Sequence, residues 1–207
     1  MKRKLLIIGA SGHGKVVVDI AIKMNIWEDI FFLDDDESIT ECMGFGVVGK
    51  TEDAFKLANE ADIFVAVGNN EIREKVQNKL ESAGIKPPCL IHPSAIIGSA
   101  VEVGLGTVIM AGVVINSATQ IGKGCIINTA ATVDHDNRIA DFVHVSPGAH
   151  LAGMVAVGQK TWIGIGSTIS NNLTITGNCK IGAGAVVVKD IIAPGTYVGV
   201  PARSIHR

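Results

Sequence analysis

INSATQ IGKGCI INTAAT VDHDNR IADFVH VSPGAH LAGMVA, residues 115–156 written in sixes, opens every group on an aliphatic residue. The rhythm runs unbroken from Ile91 to Val187, through Ile97, Val103 and Ile109 at one end and Val157, Ile163, Ile169, Ile175 and Ile181 at the other. A period of six is neither the 3.6 of a helix nor the alternation of a single strand, so the chain must turn a corner every six residues. Hexapeptide repeats of this kind define a parallel β-helix. Four residues after most of these aliphatics stands a second small or apolar residue, as at Val101, Thr107, Val113, Cys125, Ala131, Val143 and Ala149. Two inward positions per six fill a narrow prism and leave Gly, Asn, Ser and Asp for its corners. Three sides make one coil of eighteen residues, so residues eighteen apart stack at roughly the 4.8 Å strand spacing. Cys125 and Cys179 then share one inner face.

Because the repeat starts only at residue 91, the chain divides in two, with an expected boundary at Pro87-Pro88 and domains at 1–86 and 87–207. A content of 24 glycines with only 4% aromatic residues suits a thin prism that admits few rings. The net charge of −2 gives no footprint for nucleic acid or an anionic membrane. No apolar run reaches the ~18 residues of a membrane span, and Gly9 cuts the early run short of a signal-peptide core. Four cysteines without metal spacing read as reduced thiols of a cytoplasmic protein.

The front of the chain reads as a small Rossmann-like α/β domain with a parallel sheet. Residues 4–8 form a buried strand, residues 9–14 a glycine loop, and residues 15–24 a helix with Val16, Val17, Ile20 and Ala21 on its apolar side. Strand, loop and helix in this order collect backbone N–H groups at a positive helix end, which suits a phosphate. The glycine spacing is G-x-x-G-x-G, the wrong order for the dinucleotide fingerprint, so a nucleotide other than NAD is favoured. A second strand, residues 30–33, ends in Asp34-Asp35-Asp36, where such folds accept hydrogen bonds from a ribose or base. A small strand at 47–49 and a helix at 51–57 follow. A third strand, residues 62–67, ends in Gly68-Asn69-Asn70 and leads into a helix capped by Asn70, with Ile72, Val76 and Leu80 inward. The three loops converge at one edge of the sheet.

One hexad breaks the composition of the prism. Val133-Asp134-His135-Asp136-Asn137-Arg138 sets a histidine between two carboxylates and puts Asn137 where a small apolar residue belongs. A carboxylate beside an imidazole fixes its tautomer and supports the imidazolium, which is how a general base is built. His144 and His150 fall on adjacent sides and neither stacks on His135, so no metal cluster is expected within one chain. Outer residues such as Val108, Val114 and Ile126 present an apolar flank for packing against copies of the same chain.

These residues carry a likeness across nearly the whole chain. The hexad run resembles the left-handed parallel β-helix acyltransferases. The full chain resembles the NeuD/PglD-type sugar acetyltransferases through Ile8-Gly9-Ala10-Ser11-Gly12-His13-Gly14, Phe32-Leu33-Asp34-Asp35, Val67-Gly68-Asn69-Asn70-Glu71-Ile72-Arg73, Asp134-His135-Asp136, His144-Val145-Ser146-Pro147-Gly148-Ala149 and Val198-Gly199-Val200-Pro201-Ala202-Arg203. The resemblance implies an acetyl-CoA-dependent N-acetyltransferase of a UDP-linked 4-amino sugar of the bacillosamine type, serving cell-surface glycan synthesis. It implies that His135 is the base and Asp136 raises its basicity. It also implies that Ser11, Gly12, His13, Asp34, Asp35 and Gly68 contact the UDP-sugar, and that His144, Ile165 and Ala183 contact acetyl-CoA between neighbouring subunits of a homotrimer. Where close relatives carry glutamate after the base this chain has the shorter Asp136, and Ala183 replaces an expected glycine. Rival readings are O-acetylation of a sialic acid, a metal-dependent hydratase on the same β-helix, and a non-catalytic trimeric scaffold.

Overall fold

The computed structural model describes residues 4–205. It divides into two compact units, Met1–Pro93 and Ser94–Arg207. In the first unit β1 (Lys4–Ile8) leads through Gly9 into α1 (Gly12–Met24), then β2 (Asp29–Leu33). A hairpin of β3 (Glu41–Cys42) and β4 (Phe45–Gly46) follows, then a 3-10 turn and α2 (Ala54–Leu57), β5 (Ala61–Val65) and α3 (Asn70–Ser82). The sheet order is β2-β1-β5 and both pairings are parallel, Leu6 standing opposite Phe31 and Ile63. Leu6, Ile8, Leu33, Ile63 and Val65 form one core with Ala54 and Leu80.

Several expected boundaries shift, each for a packing reason. Helix α1 starts at Gly12, not at 15, with Ser11 extended before it, so Gly12, His13 and Gly14 belong to its first turn. Gly14 is needed there because a Cβ would lie 2.1 Å from the Gly9 carbonyl oxygen. The helix consequently buries Gly14, Val17, Val18 and Ala21, a stripe at i, i+3, i+4 and i+7, and leaves Val16 exposed. Helix α3 is capped by Asn69, not Asn70, whose Oδ1 accepts from the Glu71 and Ile72 N–H groups at 3.0 Å each. Its buried stripe is Asn70, Arg73, Gln77 and Leu80, so Ile72 points outward. The strand expected at 47–49 reduces to one bridge between Val47 and Phe32 beside the hairpin.

The second unit is a parallel β-solenoid. Its two-residue strands pair with partners eighteen positions away, as in Ile115 with Val133, Ile121 with Ile139, and Ile127 with Val145. Three faces result, with strands that include Val114–Ile115 on one, Gln120–Ile121 on the second and Ile126–Ile127 on the third. The inner positions Cys125, Ala131, Val143, Ala149 and Cys179 are buried as the spacing requires. Buried hydroxyls are satisfied along the column, Thr119 Oγ1 donating to the Asp134 carbonyl at 2.8 Å. Every sixth residue from Ala100 to Gly184 has a left-handed backbone. Glycine fills only some of these corners; Ala118, Phe142, Met154 and Lys160 take the same conformation, against a cost of about 1–2 kcal/mol each that the neighbouring coils impose. One expectation fails here. Val108 and Ile126 are buried within the chain itself and Val114 is half-buried, so the first two offer no flank to a copy. At the far end Gly195–Val198 pairs with Cys179–Ile181 and is itself covered antiparallel by Arg203–Ile205, which extends that face past the last coil.

Candidate active site

In the first unit a cavity of about 230 Å³ opens at the carboxyl edge of the sheet, lined by Ser11, Asp34, Asp35, Thr51, Gly68 and Ile72 among others. Four residues named from the sequence thus line one hollow. The carboxylates first organise the loops: Asp34 Oδ2 accepts the Ala10 N–H at 2.7 Å and its Oδ1 the Asp36 N–H at 3.0 Å. Asp35 accepts the N–H and hydroxyl of Thr51 at 2.9 and 3.1 Å. Gly12 and Gly68 differ from Gly9 and Gly14, since nothing lies within 4 Å of where their Cβ atoms would be. Packing explains the second pair and leaves the first pair as bare backbone beside open space.

His13 does not line this cavity. Its ring is turned inward, where burial, and secondarily the Arg73 guanidinium, push its pKa down to about 4. The imidazole is therefore neutral at physiological pH, and its Nε2 has no hydrogen-bond partner. Arg73 is buried beneath the loop, donating to the carbonyls of Val67 and Gly68 at 2.9 and 3.1 Å and to Asn70 Oδ1 at 2.7 Å. It fixes the loop that carries Gly68. The hydrophobic spacing gave no hint of it, because a charged residue on a helix reads as solvated until its buried carbonyl partners are seen.

In the solenoid, His135 sits at a corner. Its Nδ1 lies 2.8 Å from Asp136 Oδ2, and both side chains are about half exposed. That hydrogen bond is the main cause that raises the imidazole pKa, opposed by partial desolvation and aided by the charges of Asp134 and Asp136. With Nδ1 facing a carboxylate, the neutral ring carries its lone pair on Nε2. Asp136 reaches the ring because its backbone is left-handed, with φ +57°, a conformation short Asp tolerates. Asp134 is occupied elsewhere: its Oδ1 accepts from Asn116 Nδ2 at 2.7 Å and from the His135 N–H at 2.8 Å, and these bonds hold its carboxyl below the usual range. Asn137, fully buried, donates from Nδ2 to the carbonyls of Asp134 and Ala152 at 2.7 and 2.9 Å and to that of His135 at 3.3 Å.

His144 is buried on a different face, where Asn128 Nδ2 lies 3.1 Å from its Nε2 and its ring packs 4.4 Å from that of Trp162. His150 is exposed and bonded to Thr132. Ile165 and Ala183 are exposed and stacked eighteen residues apart on one prism edge, the Gly184 N–H reaching the Ile165 carbonyl at 2.8 Å. His135 stands on another edge, so a single chain does not bring the imidazole to Ile165 and Ala183. Among the described residues no three His, Cys, Asp or Glu side chains converge as a metal group, and no helix is long and apolar enough to cross a membrane.

The architecture, a small parallel α/β unit followed by a hexapeptide-repeat β-solenoid, is that of the hexapeptide-repeat acyltransferases. Residues 4–80 match the PglD N-terminal domain. GDP-perosamine N-acetyltransferase of Escherichia coli O157:H7 is 32% identical over 173 residues, which cover 81% of this chain and 78% of that protein. UDP-N-acetylbacillosamine N-acetyltransferase of Bacillus subtilis is 35% identical over 112 residues, 53% of this chain and 52% of that one. The acetyltransferase domain of PglB from Neisseria gonorrhoeae FA1090, solved in complex with acetyl coenzyme A, superimposes with a TM-score of 0.96 at 42% identity, covering 99% of this chain and 100% of that one. The chain belongs to the PglD-type sugar acetyltransferases of the left-handed β-helix superfamily, and it is an acetyltransferase with acetyl-CoA as cosubstrate.

Proposed function

We propose that the chain moves the acetyl group of acetyl-CoA onto the amine of a UDP-linked 4-amino sugar of the bacillosamine type, for cell-surface glycan synthesis. His135 is the general base and Asp136 its partner. The observation that carries this reading is the 2.8 Å Nδ1 to Asp136 bond, which aims the basic Nε2 away from its own carboxylate. As the amine nitrogen attacks the thioester carbonyl, Nε2 takes one amine proton. The C–N bond forms, the C–S bond breaks, and the departing sulfur leaves as the CoA thiol when the imidazolium returns that proton. General base action is typically worth 10²–10⁴ in rate, and holding both substrates together supplies more. Backbone N–H groups of the coil steady the oxyanion.

Ser11, Gly12, Asp34, Asp35 and Gly68 serve the nucleotide, and His13, its ring turned inward, serves it through the backbone N–H of the first helical turn. The two glycines whose missing side chains no packing requires support this, since bare backbone admits a phosphate or ribose closely. His144, Ile165 and Ala183 serve acetyl-CoA. Because Ile165 and Ala183 stand on a prism edge different from that of His135, a complete site needs the edge of a second copy, which is the reason for a homotrimer with sites between subunits. Free buried thiols at Cys42, Cys125 and Cys179 fit a reducing cytoplasm. A second reading, a GDP-linked amine, is favoured by the similarity to GDP-perosamine N-acetyltransferase over most of the chain. A thiol-release assay with acetyl-CoA against UDP-linked 4-amino sugars, GDP-perosamine and free sialic acid decides among them. Release with the UDP-amine, and a product carrying acetyl on nitrogen, is the expected result; release only with sialic acid would overturn it in favour of O-acetylation.

A further inference from the structure

Gly153 lies eighteen residues after His135, directly beneath it on the same prism edge, the Met154 N–H donating to the His135 carbonyl at 3.0 Å. A Cβ at Gly153 would stand 2.5 Å from His135 Nε2, 2.7 Å from Cε1 and 3.2 Å from Cδ2; the three nearest atoms all belong to the imidazole. Several other glycines of the solenoid are explained by backbone instead. A Cβ at Gly104, Gly158 or Gly164 would strike main-chain atoms of the next coil at 2.5, 2.3 and 2.4 Å. The backbone at Gly153 is not left-handed, so it does not itself require glycine. Nor does its place in the hexad, for the equivalent positions hold Leu105, Lys123, Asp141, Gln159 and Ile165. What keeps this one position empty is the ring above it.

We infer that Gly153 is a positioning residue for the acetyl transfer: the missing side chain is the seat on which the His135 imidazole lies, and Asn137 clamps that seat from inside. The clamp spans both coils, because Asn137 Nδ2 reaches the carbonyls of Asp134 and His135 in one and of Ala152, the neighbour of Gly153, in the next. Ring and seat are thereby held in register while Asp136 fixes the tautomer from the side. The smallest side chain at 153 would push Nε2 off its line and strain the Nδ1 bond to Asp136.

The inference rests on His135 being the base, and its test separates the two claims. Gly153→Ala is made in the full chain in the wild-type and in the His135→Ala background. In the wild-type background kcat for acetyl transfer falls on the order of 10–100-fold, since a displacement of about 1 Å costs that much, while acetyl-CoA binding by calorimetry is unchanged. The acid limb of the pH–rate profile moves to lower pH as the Asp136 bond weakens, a change that a purely structural glycine would not cause. The change in melting temperature is less favourable in the wild-type background, where the half-exposed ring must swing aside, than in the His135→Ala background, where alanine at a compatible backbone only restricts the unfolded chain. If Gly153→Ala alone fails to fold, the double variant folding normally supports the inference and its failing to fold overturns it. An equal change of melting temperature in both backgrounds, or turnover within twofold of wild type, would also overturn it. Full turnover by His135→Ala alone would instead sink the base assignment, and the melting comparison would still report on the seat.

Discussion

Replacing Asn137 with alanine removes the buried clamp behind the His135 corner, and the cost follows from its three acceptors. The Asp134 carbonyl keeps the Thr119 hydroxyl at 2.8 Å and the His135 carbonyl keeps the Met154 N–H at 3.0 Å. Only the Ala152 carbonyl has no second donor among the described residues. Leaving one partly buried carbonyl unmet costs ~1–3 kcal/mol. The small void adds to this, and removing Asn137 Oδ1, itself buried without a partner, offsets part of it. The net loss is about 1–2 kcal/mol, or roughly 2–8 °C in melting temperature for a domain of this size. Urea unfolding followed by far-UV circular dichroism at one fixed protein concentration measures it, since assembly couples to stability. Turnover falls several-fold with acetyl-CoA affinity held, because the corner that carries the imidazole loosens. Asn137→Asp does worse, as it loses the donor and buries a charge. Stability within ~0.5 kcal/mol of wild type, with turnover unchanged, would refute the reasoning.

Three further outcomes are expected. Asp136→Asn weakens the bond that raises the His135 pKa, so the acid limb of the pH–rate profile shifts to lower pH while the plateau rate drops; an unmoved limb would separate the two side chains functionally. His13 stays neutral in the folded chain down to about pH 4 but protonates near its ordinary 6.5 when unfolded, so its contribution is complete above pH 6.5 and is lost as pH falls toward 4. Thermal melts should show His13→Asn reducing that acid sensitivity by roughly 2 kcal/mol after discounting for partial exposure, and identical pH curves would show that the ring is not held neutral. Gly12→Ala and Gly68→Ala, each with open space at Cβ, should melt like wild type yet raise KM for the nucleotide sugar at constant KM for acetyl-CoA; a matched rise in both constants would move these glycines out of the nucleotide site.

The solenoid was legible because its corners recur at one fixed interval and its inner residues are small, both of which survive in one dimension. The side chains at the corners were less so: Phe142, Met154 and Lys160 adopt a backbone their chemistry does not announce, since the coil above and below imposes it. In the front lobe the strands and glycine loop were plain, but the helix faces rotated by a position or more, as at Val16 and Ile72, because buried Gly14 and Arg73 claim the inner stripe. Among the site residues, the Asp134-His135-Asp136 triplet stood out from its neighbours, whereas the division of labour between its two carboxylates depended on Asn116, eighteen residues away. His144 resembled its exposed neighbour His150 in the repeat and proved buried against Trp162. Gly153 was invisible among 24 glycines until the ring above it was placed.

The most direct measurement is acetyl transfer by His135→Ala from acetyl-CoA to a UDP-linked 4-amino sugar, with acetyl-CoA affinity determined on the same preparation. Loss of turnover by about 10²–10⁴ at unchanged affinity is the predicted result. Wild-type turnover from that variant would show that the proton leaves the amine by another route and that the corner imidazole is not the base.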